Sequence, residues 1–282
     1  MIVSQLGFVI AWSLIKKVGV KIPLFEVIFF RGLISLPLLF LLAKSSGHLR
    51  LKINSPIPLL LRCIFGISAM ICYFYSLTKL AIGDAATLTN TAPIFIAILS
   101  PLMLKESVSK KQFWFIAIAF GAVILILKPG WGVIQVGAIF AVASGLFAAL
   151  SQIQIRKLKN RDNPFTITIY FTIFVILVSV VPAMGKFVMP SLKEWIFFGI
   201  IGLATTLSQL MMTKAYHLAD ASFIAPFGYT SVIFSYCAGI ILWMEVPDVV
   251  SIVAALIIIS CGVAIMLTSR GRVPGPTPVV RT

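Results

Sequence analysis

The sequence predicts an all-α polytopic membrane protein: ten transmembrane helices arranged as two inverted five-helix repeats. Composition, span count and an internal repeat carry this prediction. Of 282 residues, 60% are hydrophobic and 11% charged, and mean hydropathy is +1.08; soluble domains are about 45–50% apolar and about 25% charged. One soluble core cannot bury that much apolar surface, which excludes a soluble enzyme, a nucleic-acid binder and a disordered chain. The net charge of +15 then reflects basic cytoplasmic loops rather than a nucleic-acid partner.

Breaks at Pro, Gly and charge clusters give spans of roughly 1–19, 23–43, 57–79, 85–104, 112–128, 132–155, 165–185, 192–216, 221–243 and 248–269. The first is cut short by Lys16 and Lys17. Either both snorkel to the interface, or the helix begins upstream of Met1. No charged region precedes it, so it does not read as a cleaved signal peptide. Span 2 carries Glu26 and Arg31; span 3 opens with Arg62 and closes at Lys79. Span 4 holds Thr87, Asn90 and Thr91 at helical spacing, then Pro93, and exits at Glu106. Span 5 has a late Gly121. Span 6 ends in Ser151, Gln152 and Gln154, span 7 follows after a short basic loop, and span 8 carries Thr205, Ser208 and Gln209. Span 9 holds Pro226, Tyr229 and Ser231 and exits at Glu245; span 10 has a late Gly262. No connection is long enough to house a soluble domain. The Pro- and Gly-containing tail 270–282 reads as disordered and cytoplasmic.

Alternate ends of these spans receive Lys and Arg unequally, fifteen on one side and seven on the other, with Arg31 inside a span. The richer side is expected to be cytoplasmic, which puts both termini inside. Thr78–Ala85 at the end of span 3 resembles Thr213–Ala221 at the end of span 8. Each is followed by a helix leaving at a glutamate, Glu106 or Glu245, and then by a helix with a late glycine. This divides the chain into a first repeat, 1–128, and a second, 132–269. Five spans is an odd number, so the second repeat enters from the opposite side, a design common in secondary transporters with a midplane site. Asp84 and Asp220 start helices and are expected to act as N-caps.

Pro23–Arg31, Asp84–Pro93, Lys105-Glu106, Ala219-Asp220-Ala221 through Ala225-Pro226, and Glu245-Val246-Pro247 occur in an order that resembles the EamA-type branch of the drug/metabolite transporter superfamily. The resemblance covers about residues 1–269. It implies two inverted five-helix repeats that move a small organic solute by alternating access, without cofactor or ATP hydrolysis.

Charges at membrane depth are functional hypotheses. Arg31 lies about eight residues into its span, roughly 12 Å deep at 1.5 Å per residue. It is expected either to bind or gate an anion or to form an interhelical salt bridge. Glu26 is a candidate for a cation or a coupling proton; as a helix-start carboxylate, its plainer expectation is solvation. Arg62 is expected to snorkel to the cytoplasmic headgroups, with substrate binding as the alternative. Asn90 and Gln209, mid-span amides needing several partners, are the next cavity candidates, with Trp12, Tyr73, Gln152 and Tyr229. Pro93 and Pro226 are candidate kinks or hinges for gating.

The expected cargo is an amino acid or derivative, its carboxylate on Arg31 and its apolar part on tyrosines. A metabolite like S-adenosylmethionine or a nucleotide is second, and a lipid-flippase or channel activity on the same fold remains an alternative. An enzyme is not expected: His48 and His217 form no HxxxxD or HExxH pattern and no carboxylates pair. Cys63, Cys72, Cys237 and Cys261 lack CxxC spacing and read as buried hydrophobes. Expected partners are the small-molecule substrate and the lipid bilayer, with protons as a candidate coupling ion, no metal and no nucleic acid. The assembly expected is a monomer or homodimer in the plasma (inner) membrane.

Overall fold

The computed structural model describes residues 1–49, 51–104, 110–127, 136–159, 161–219 and 221–269. Its helices are α1 (Ile2–Val18), α2 (Leu24–Ser45), α3 (Pro56–Leu77), α4 (Ile82–Thr89), α5 (Ala92–Leu104), α6 (Lys110–Leu127), α7 (Val136–Lys157), α8 (Pro164–Ala183), α9 (Leu192–Leu218), α10 (Ala221–Ile224), α11 (Thr230–Trp243) and α12 (Val249–Ser269). No strand occurs among the described residues. Six segments are long and apolar enough to cross a membrane: α2, α3, Ile82–Leu104, α7, α8 and α9; Phe227–Trp243 and Val249–Ile265 are shorter apolar segments. Only 44–56% of each crossing window is buried, so the rest is apolar surface suited to lipid, including Leu41, Leu102 and Leu177, as is Ile241 on the shorter segment Phe227–Trp243. Cys237 is exposed there, unlike the other three cysteines and against expectation. Glu106, Asp220 and the tail 270–282 lie outside the described residues.

Local sequence sets the helix starts. Asn163 accepts the Phe165 N–H at 2.9 Å and Pro164 fills the first turn of α8, where no N–H partner is needed. Ser191 and Glu194 form a reciprocal capping box on α9.

The packing repeats between the two halves, α1–α6 and α7–α12. Helix α3 packs on α7 as α9 packs on α1, and α5 meets α7 as α11 meets α1. Helices α2 and α8, and α6 and α12, pair across the centre. Exchanging the halves maps these pairings onto one another. Small residues line the α3–α7 crossing, where Ser144 Oγ donates to the Ala69 carbonyl at 2.8 Å.

Spans 4 and 9 are not the continuous kinked helices expected from Pro93 and Pro226. Helix α4 stops at Thr89 and α5 restarts at Ala92; span 9 passes from α10 through a 3-10 turn, Ala225–Tyr229, into α11. Pro93 has no N–H and disfavours helix at the residue before it, so it is tolerated in the first turn of a new helix. The first break lies against Gly145 of α7, where a Cβ would stand 2.9 Å from the Thr89 carbonyl oxygen.

By chain direction, Met1 lies at one end of the bundle and Lys16 at the other. At the Lys16 end, Glu245 joins the halves. One oxygen accepts the Ile82 N–H at 2.9 Å and the other pairs with Lys16. Lys16 Nζ also donates to the Leu80 carbonyl at 3.2 Å and lies 5.4 Å from the centre of the Trp243 ring. Lys16 is therefore an interhelical tie, not a snorkelling end. Met244, the one non-glycine residue with positive φ (53°) among those described, turns the chain so that Glu245 N–H reaches the Gly239 carbonyl at 3.1 Å. Asp84 is not an N-cap: Ala81 holds that position, and Asp84 accepts the Tyr236 hydroxyl at 3.0 Å.

Candidate substrate cavity

A cavity of about 160 Å³ lies between the halves. Helix α1 gives it Gln5, Phe8 and Trp12; α2 gives Arg31; α3 gives Arg62, Met70, Tyr73 and Phe74. The α4–α5 break supplies Asn90 and Pro93, α7 Ser144, Ser151 and Gln152, and α8 Phe171. Thr205, Gln209, Met212 and Tyr216 come from α9, and Ala225 and Gly228 from the 3-10 turn. The lining reaches Met1 at one end. Towards the other it includes Phe74, which also borders a separate pocket with Ile15, Lys16, Leu77 and Trp243.

Two arginines sit in this lining, Arg31 at 7% and Arg62 at 3% exposure. Arg62 Nη1 donates to Ser151 Oγ at 2.7 Å and Nη2 to Gln209 Oε1 at 3.2 Å. Its guanidinium carbon lies 4.1 Å from the centre of the Phe171 ring, a cation–π contact that strengthens when water is excluded. Gly66, one turn further along α3, makes this possible. A Cβ there would meet Arg62 Nη1, and would stand 2.7 Å from Phe171 Cε2 and 3.2 Å from Ser151 Oγ. The side chain thus runs deeper into the bundle, which overturns the expectation that it snorkels to the headgroups. Arg31 Nη1 contacts Met70 Sδ, a weak acceptor. The Nε atoms of both arginines have no hydrogen-bond partner among the described residues, and neither arginine forms an ion pair there. No Asp or Glu is among the lining residues.

The other polar groups are partly engaged. Asn90 donates through Nδ2 to the Ala86 carbonyl and to Ser231 Oγ, both at 2.8 Å, tying the α4–α5 break to α11. Gln152 Oε1 accepts the Tyr216 hydroxyl at 2.6 Å. Trp12 stacks on Phe8 at 5.6 Å and meets Tyr73 edge-on at 4.6 Å. The Tyr73 hydroxyl is buried without a hydrogen-bond partner among the described residues. The cavity therefore offers two cations, a phenolic hydroxyl and an aromatic wall, chemistry that suits an anion with an apolar body.

The EamA-like transporter family model matches the chain twice, over residues 1–128 and 135–268. The chain belongs to the EamA-like transporter family. Among its relatives is the pseudopaline exporter CntI of Pseudomonas aeruginosa (strain UCBPP-PA14), 28% identical over 272 residues, covering 96% of this chain and 95% of that protein. An S-adenosylmethionine uptake transporter of Rickettsia bellii (strain RML369-C) is 24% identical over 255 residues, covering 90% and 88%. A solved crystal structure superposes with a TM-score of 0.71 at 16% identity, covering 95% of this chain and 98% of that one; this likeness concerns the fold. The chain is thus a membrane transporter rather than an enzyme, as its family and the names of these relatives indicate.

In this EamA-family chain the structure gathers six residues singled out from sequence into one lining: Trp12, Arg31, Tyr73, Asn90, Gln152 and Gln209, with Pro93 beside them. Three others stand differently. Tyr229 is not in the lining; its ring is buried against Gly262 in a second core of α5, α6, α7, α11 and α12 residues. Glu26 is fully buried rather than solvated, and both its oxygens accept the Val188 N–H, at 3.1 and 3.0 Å. It anchors the segment between α8 and α9, away from the lining. Pro226 lies in the 3-10 turn between Ala225 and Gly228. Sequence reasoning missed Arg62, Phe171 and Gln5. Arg62 could have been flagged by its partners: a glycine one turn on leaves space for a guanidinium.

Proposed function

We propose that this chain is a secondary carrier that moves a carboxylate-bearing metabolite, an amino acid or amino-acid derivative, across the plasma membrane. It works by alternating access, with its two inverted repeats rocking about the cavity between them. The observation that carries this is the lining itself: both halves contribute, and it presents buried guanidinium groups and an aromatic wall to one space. Arg31 and Arg62 hold the carboxylate end, and Phe8, Trp12 and Tyr73 face the apolar part. The discontinuous spans at Asn90–Thr91 and Ala225–Tyr229 place irregular backbone beside the cavity, where it is tolerated in a membrane. An S-adenosylmethionine-like cargo is the weaker reading for this cavity, because its sulfonium would face two arginines.

The test is counterflow in liposomes containing the purified chain, with a labelled panel weighted to amino acids, their N-acylated derivatives and nucleoside-linked metabolites. Saturable counterflow of a carboxylate-bearing class is the expected result. Linear, non-saturating flux would point to a channel. Saturable flux confined to cations or lipids would overturn the cargo class.

A further inference from the structure

We propose that the cargo carries two acidic groups, one for Arg31 and one for Arg62, on an apolar or aromatic body. This rests on the carrier reading and narrows its substrate. A buried cation needs a partner or strong hydration, and two like charges facing one cavity repel. Arg62 has two side-chain acceptors and a ring; Arg31 has a thioether; each keeps an Nε without a partner among the described residues.

The described acids are engaged elsewhere. Glu26 holds the Val188 N–H and Asp162 the Asn54 N–H. Asp84 takes the Tyr236 hydroxyl, Glu245 pairs with Lys16, Glu194 caps α9, and Asp248 accepts the Ser251 N–H at 2.8 Å. The cavity is therefore left with two positive charges that its own lining does not neutralise. One carboxylate, even shared by both guanidiniums, supplies one negative charge against two positive ones and leaves the site positive. A zwitterion would bring its ammonium into the same positive field. Two acidic groups on one molecule answer both, and guanidinium forks suit either carboxylate or phosphate.

The test uses the purified full chain, in detergent and in liposomes, with probes built on one body. Phenylalanine methyl ester is a cation, phenylalanine a zwitterion, N-acetylphenylalanine has one net negative charge and N-succinylphenylalanine two. O-phosphotyrosine supplies a phosphate as the added acid and separates the two chemistries. By calorimetry, N-succinylphenylalanine should bind about tenfold or more tightly than N-acetylphenylalanine, the scale of one added charged hydrogen bond. Arg31→Gln and Arg62→Gln should each remove that step. Arg62→Lys, which keeps the charge, should retain most of it. Equal affinity along the series overturns the proposal, as does a step that survives both glutamine variants or is lost equally in Arg62→Lys. Charge-graded binding without saturable flux of any probe would retire the carrier reading and leave the two-arginine site standing. Equal saturable flux of phenylalanine and its N-succinyl form would do the reverse.

Discussion

Arg62 and Arg31 look alike in composition and differ in how far sequence can place them. Arg31 is mid-span, so its depth alone makes it a candidate. Arg62 is six residues past the first residue of α3, a depth at which an arginine can reach either the headgroups or the interior. The packing of Gly66 against Phe171 and Ser151 decides between them, and that depends on how α3 meets α7 and α8. Gly66→Ala should therefore act on Arg62 without touching its charge. The added methyl must displace the guanidinium or the Phe171 ring, an overpacking cost of about 1–3 kcal/mol. A thermal melt should fall accordingly, and affinity for N-succinylphenylalanine should drop as in Arg62→Gln. Unchanged binding would mean that Arg62 has another route to the cavity. The amides and aromatics were easier to place: Asn90, Gln152, Gln209, Trp12 and Tyr73 are polar or amphipathic in apolar helices and stand in the lining. Tyr229 has the same signature but fills a core against Gly262, because nothing in a helical repeat says which face meets the central space.

Helix boundaries were readable to within a few residues, since Pro, Gly and charges end spans for local reasons. The breaks in spans 4 and 9 were not, because a proline in a membrane helix is compatible with a kink or a restart. The tie at the Lys16 end was also hidden, since Lys16 and Glu245 are 229 residues apart. Its position suggests its use. It joins α1 to the segment between α11 and α12 and to the start of α4, beyond Phe74, Ile15 and Leu77. Under the proposed alternating access this end opens in the opposite state, and the tie would break in each cycle. Glu245→Gln keeps an acceptor for the Ile82 N–H and removes the ion pair. The pair is part-exposed, so the expected stability loss is at most about 1 kcal/mol. The larger effect should be on conformation. In a cysteine-free background, Ile15→Cys, buried at 4%, should react with a small thiol reagent several-fold faster when Glu245 is also Gln. Equal rates would show that the apolar layer alone closes this end.

At the scale of the whole molecule, the duplication ties orientation to mechanism. The family model matches once in each half, and five spans per half reverse the second copy. Arg62 leaves the tally of the Lys- and Arg-rich side because it faces the cavity, and the excess on that side persists, which predicts that side to be cytoplasmic. The α2–α3 connection should then be inside and the segment between α8 and α9 outside. Single cysteines at Ser46 and Met189, both exposed, test this in intact cells with a membrane-impermeant maleimide. Met189→Cys should label at once and Ser46→Cys only after permeabilisation; the reverse pattern would invert the molecule. The same experiment assigns the state seen here. The cavity lining reaches Met1, while Phe74, Ile15 and Leu77 lie between it and the Lys16 end. Under the proposed orientation that would be a carrier closed to the outside, and Gln152→Cys, part-exposed in the lining, should label faster in inverted vesicles than Ile15→Cys in intact cells. A cargo with two acidic groups should then protect Gln152→Cys, because it would occupy the space that side chain shares with the two arginines.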